Sequence, residues 1–76
     1  MVVGPFFIIK KAQFFINRYS NLRCINLMEN GLEDEGSDEF IEALSNMTNI
    51  SIVLNLNNFS DECKNKFKAL RPKIVI

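Results

Sequence analysis

The chain has 76 residues, nine basic and nine acidic side chains, no histidine and two cysteines. That length allows one small domain, spanning residues 1–76, which buries only about 60% of the surface its unfolded chain exposes. Zero net charge lacks the basic footprint that phosphate backbones require, so nucleic acid is not an expected partner, and without imidazole the usual general base and zinc ligand are gone.

In chain order, the first predicted element is a helix over 6–18, opened by Pro5, because proline is tolerated in a first helical turn. Ile8, Ala12, Phe15, Ile16 and Tyr19 fit one face of it. Apolar residues occur on more than one side, which points to burial rather than to a membrane-surface helix. The apolar run Met1–Ile9 precedes Lys10 and Lys11 instead of following a basic start, so it does not read as a secretory signal. It is also far shorter than the roughly 20 residues that span a bilayer, so no membrane is expected as a partner. A short strand over 24–28 follows, then a helix over 35–46, a strand over 51–55, a helix over 61–70 halted by Pro72, and a strand over 73–76. Cys24 and Cys63 are too few for a disulfide framework and make no CxxC pair; they read as reduced thiols of a cytoplasmic protein.

Sliding the sequence against itself by 27 residues aligns Ile25 with Ile52, Leu27 with Leu54, Asn30 with Asn57, Asp34 with Asp61, Glu35 with Glu62 and Phe40 with Phe67. Each copy has one grammar. Two apolar residues two apart lie on one face of a strand. An asparagine follows where the chain leaves the strand, suited to bonding exposed backbone groups. An aspartate stands where a helix should start and can cap it, and Phe40 and Leu44 form the helix's inward stripe. Ala12, Ile16 and Leu22 match Phe40, Leu44 and Ile50 at an offset of 28, so the first segment supplies a helix without its strand. The unit predicts parallel strands side by side, with Ile25 and Ile52 on the same side of the molecule.

The pattern Leu22-x-x-Ile25-x-Leu27-x-x-Asn30-x-Leu32, continued by Gly36, Phe40 and Leu44, resembles a leucine-rich repeat of the ribonuclease-inhibitor type, the class that also furnishes the recognition arrays of NACHT-type receptors. The resemblance covers about 55 of the 76 positions. Copy two departs from it at Asn49, where the first leucine belongs, and at Cys63, where Gly36 sits; the Asn55–Asn58 stretch permits a one-residue slip in register. The resemblance implies an α/β solenoid of about two and a half repeats, with a parallel three-stranded sheet and three helices on one face, acting as a non-catalytic protein-binding scaffold. An isolated unit of this kind cannot bury its apolar face alone. The apolar ends Phe6–Ile9 and Ile74–Ile76 therefore read as improvised caps, as cut faces of a longer array in a terminal fragment of a repeat receptor, or as a contact for self-association.

If the strands lie as predicted, Cys24, Asn26 and Met28, with Glu29 at the rim, project from the sheet's open face beside Ser51, Val53 and Asn55. These form the candidate face for a protein partner, since polar Asn beside flexible Met suits an adaptable contact. Charge is segregated: four bases and no acid up to Met28, nine acids and no base over 29–62, five bases and no acid thereafter. Acids at helix starts and bases at helix ends complement the helix dipoles. An acidic functional face is the alternative, and with it a role as activator of a small GTPase, as for some proteins with similar repeats. The spacing of Glu33–Glu39 fails the calcium-loop pattern, and no phosphate loop, nucleophile elbow or dinucleotide fingerprint is present. No catalytic residue, metal or cofactor is expected.

Overall fold

Helix α1, Pro5–Arg18, begins on the Gly4 carbonyl, which accepts from the N–H groups of Phe7 and Ile8, with Pro5 in the first turn. The computed structural model describes residues 4–19 and 21–76, so the first three residues of the apolar N-terminal run lie outside it. The buried stripe of α1 is Ile9, Ala12 and Ile16. This corrects the expected face: Phe15 and Tyr19 stay exposed and Ile8 is only half-buried. The second apolar side of the helix is therefore not buried among the described residues, and Phe6, Phe7 and Phe14 stand open beside Phe15.

Three short strands follow: β1 (Cys24–Asn26), β2 (Ser51–Val53) and β3 (Lys73–Val75). They form one parallel sheet in the order β1-β2-β3, with helix α2 (Ser37–Leu44) between the first two and α3 (Asp61–Lys68) between the last two. Ile25 pairs with Ile52 and Ile52 with Ile74, so residues 27 apart in sequence face one another across β1 and β2, without a slip in register. Pairing runs on past the formal strand ends: the Leu27 N–H donates to the Val53 carbonyl at 2.8 Å and the Glu29 N–H to the Asn55 carbonyl at 3.2 Å.

Strand alternation sends Ile25, Ile52 and Ile74 to the side where the helices lie. There Ile52 and Leu54 are fully buried with Leu32, Phe40, Leu44, Phe67 and Ile9 in a single apolar cluster. Phe40 and Phe67, also 27 apart, meet edge to face with ring centres 6.0 Å apart, a geometry aromatic pairs favour. Full burial of such rings dominates the stability of a chain this small: truncating either to alanine typically costs about 3–5 kcal/mol.

Helix α2 starts at Ser37, two residues later than expected, and ends at Leu44 instead of 46. Asp34 does not cap it. The Ser37 N–H instead closes a turn on the Asp34 carbonyl at 3.0 Å, and Gly36 enters the helix with φ +82°. A side chain at Gly36 would be strained by that φ and would also meet the Phe6 ring of α1 at 3.0 Å. In the second copy no such turn intervenes: Ser60 caps α3, its hydroxyl accepting from the Cys63 N–H at 3.1 Å. Asp61 is thus the first helical residue rather than the cap. Cys63 takes the place of Gly36 in sequence and is buried in the apolar cluster, with Asp34 and Ser37, ahead of and in α2, beside its thiol.

The acids and bases sit as helix dipoles prefer. Asp38 and Glu39 occupy the first turn of α2, Asp61 and Glu62 that of α3, and Lys66 and Lys68 the last turn of α3.

Candidate functional site

On the face of the sheet away from the helices, the strands align side chains in rows. Cys24, Ser51 and Lys73 make one row, and Asn26, Val53 and Val75 the next. Cys24, Asn26, Met28 and Glu29 are exposed, and Ser51, Val53 and Asn55 are half-buried. The seven residues expected on one face thus follow β1, β2 and the turns that leave them. Lys73 and Val75 extend the same rows and are not among the residues expected there; their alternation with Ile74 is the signal that marks them.

The turns after β1 and β2 are held by one side chain. The Asn57 Oδ1 accepts from the Asn30 N–H at 3.0 Å and the Leu32 N–H at 2.9 Å. Its Nδ2 donates to the Leu27 carbonyl at 2.9 Å and the Leu54 carbonyl at 2.8 Å. A carboxamide has two acceptor and two donor positions, and here all four are used. Asn30, its counterpart in copy one, makes a single bond, from Nδ2 to the Met28 carbonyl at 3.3 Å. Asn26 turns back on its own strand, its Oδ1 accepting from the Met28 N–H at 3.0 Å.

Two residues at the rim have left-handed backbone, Glu29 at φ 59° and Leu56 at φ 61°. They too are 27 apart. For a residue other than glycine, asparagine or aspartate this conformation is uncommon and costs roughly 1–2 kcal/mol. Leu56 is also 67% exposed, the most open of the large apolar side chains described. It flanks the candidate face, and no pattern in the sequence singles it out, because leucine is not a residue that advertises a positive φ.

Three of the acids, Asp34, Asp38 and Glu39, make contacts between helices or their starts. The Asp34 carboxylate accepts from the Ser60 hydroxyl at 2.5 Å and the Ser60 N–H at 2.9 Å, which hold its carboxyl below the usual range. Asp38 pairs with Lys66 at 3.4 Å, a contact that raises the lysine's pKa, and Glu39 pairs with Lys10 of α1. Apart from Glu29 at the rim of the face, the acids of this stretch lie on α2, α3 and the turn before α2, away from the strand rows. Burial pushes the Cys63 thiol up, whereas Cys24 is exposed and free.

Among the described residues, no group of three or more cysteine or acidic side chains is placed to hold a metal ion, and no helix is long and apolar enough to cross a membrane. No protein-family model, curated protein or solved structure gives a significant match to this chain.

Proposed function

We propose that the chain is a non-catalytic protein-interaction module built as a short leucine-rich-repeat-like solenoid, binding through the open face of its sheet. The single observation that supports this reading is the pairing of residues 27 apart, Ile25 with Ile52, which leaves Cys24, Asn26, Ser51 and Val53 in aligned rows on the other face. A rigid face of this sort binds without moving parts, because the asparagine-pinned turns fix the side chains that flank it.

Size limits the affinity. Three strands about 4.8 Å apart and three residues long present a patch of about 10 Å by 10 Å. A stable protein interface takes about 800 Å² from each partner. The rim residues Met28, Glu29 and Leu56 must therefore join the contact, and binding through this face alone should be of the weak, transient kind. A terminal fragment of a larger repeat protein would meet the same arithmetic by sharing its face with neighbouring units.

The experiment is affinity capture with the wild-type chain and with Asn26→Arg and Met28→Arg, both at exposed positions. A partner held by the wild type and lost from both variants, with thermal midpoints unchanged, supports the reading. Undiminished capture by both would overturn it.

A further inference from the structure

Strand β1 is an edge strand, and among the described residues its only partner is β2. The Arg23 carbonyl accepts from Ser51 and the Leu27 N–H donates to Val53. In a parallel ladder the bonding side alternates along the strand, so the N–H and C=O groups of Cys24 and Asn26 point away from β2. Beside this edge runs an apolar groove of about 330 Å³. Its helix wall is Phe7, Ile8, Ala12 and Phe15 of α1, and its floor is Leu22 and Ile25.

Unpaired backbone groups next to an apolar trough are what an added strand needs: main-chain bonds for affinity and a pocket for alternate side chains. Edge strands are ordinarily protected by charges or proline. The opposite edge is protected in that way, since β3 begins at Lys73 directly after Arg71 and Pro72. The β1 edge has Arg23 directly before it but no proline, and its three strand residues carry no charge.

Charge selects the occupant. Lys11 lines the groove, and Arg18 closes α1 and Arg23 directly precedes β1, the two elements that supply most of its lining. None of the three has a carboxylate within ion-pair distance among the described residues; of the bases in this segment only Lys10 is paired, to Glu39. A second copy offers two strand edges, both in segments that carry bases and no acid up to Met28 and from Cys63 onward. Its acids lie between, on segments around the central strand. Self-pairing therefore sets like charge against like.

We propose that the free edge of β1 and its groove take up an extended, apolar segment of a partner protein flanked by carboxylates, which joins the sheet as a fourth strand. This surface meets the open face at Cys24, which both lines the groove and stands in the strand rows, but the inference does not rest on that face binding anything.

The test uses the intact chain and two synthetic peptides of about nine residues, each alternating Val with Thr, one ended by glutamate pairs and the other by lysine pairs. Amide hydrogen exchange of Cys24 and Asn26 is followed alone and with each peptide, at low and high salt. The acidic peptide should slow both amides about ten-fold or more, bind about ten-fold better than the basic one, and lose most of that margin at 1 M salt. Lys11→Glu with Arg23→Glu should reverse the preference between the peptides, which a misfolded variant would not do. Equal binding of both peptides, or binding without protection of Cys24 and Asn26, overturns the proposal. So does protection already present without peptide: if it grows with protein concentration the occupant is a second copy, and if it does not, the chain's own N-terminal residues fill the edge.

Discussion

Asn57 and Asn30 are the same residue at the same step of the 27-residue spacing, yet the structure gives them unequal work. Asn57 satisfies two N–H groups and two carbonyls in two successive turns, whereas Asn30 contributes one long bond. Removing a partner from a part-buried network leaves its groups unsatisfied, at about 1–3 kcal/mol each where water cannot reach. Asn57→Ala should therefore destabilise by roughly 2–4 kcal/mol and Asn30→Ala by less than about 1 kcal/mol, read from chemical unfolding at constant m. Equal losses would mean that the turns are held by something else. The sequence shows both asparagines with the same spacing and cannot rank them, because the rank depends on whether a neighbouring turn exists for the side chain to bridge. Asn57 has the turn after β1 in reach; Asn30 faces no such turn among the described residues.

At the scale of elements, residues that pack are legible in the sequence and residues that terminate are less so. Phe40, Leu44, Phe67 and Ile52 announce themselves by spacing, and each is fully buried. The start of α2 departs from its local signal because Asp34 has a better use than capping its own helix. It reaches forward to Ser60, at the head of α3, so a contact 26 residues away overrides the local preference. The side of α1 that points away from the core is equally hard to read, since an apolar side chain declares that burial is favourable, not that a neighbour is present. The Asp34 contact has a pH signature. Its carboxyl is held below the ordinary aspartate value of about 3.9 by the Ser60 bonds, so its contribution to stability is fully present above that value and is lost as pH falls through the lowered folded value. Unfolding midpoints followed downward from pH 5 should fall in the wild type, and Asp34→Asn should flatten that limb while starting lower at neutral pH. A wild-type limb that the variant reproduces would remove Asp34 as its origin.

For the molecule as a whole, one apolar cluster joins all three helices to the sheet, and the radius of gyration is 11.4 Å. A globular chain of this length is expected at about 11 Å, so the fold is as compact as an ordinary small domain. A single shared cluster predicts a single cooperative unfolding transition. The two thiols report it independently. Cys24 is exposed and should react at once with a maleimide in the native protein, while Cys63, buried beside Ser37 with a raised pKa, should react only as fast as the structure opens. Denaturant should accelerate Cys63 labelling in step with the loss of helical signal. Prompt labelling of both thiols in native buffer would show that α3 detaches on its own. The parallel sheet, the order of its strands and the inward isoleucines are readable from the repeat. What lies against the outer edge of β1 is not, because a repeat describes how one unit meets the next and is silent about the unit at the end.

The arrangement around Asn57 carries a chemical liability. Hydrolysis of its carboxamide to an aspartate side chain exchanges one NH₂ for an oxygen and alters almost no shape. It would also aim a carboxylate at the Leu27 and Leu54 carbonyls that now receive its two N–H bonds. Attraction would become repulsion at both turns together. A sample ageing in this way gains about one dalton while its melting point drifts downward, and Asn57→Asp would reproduce that end state from the start.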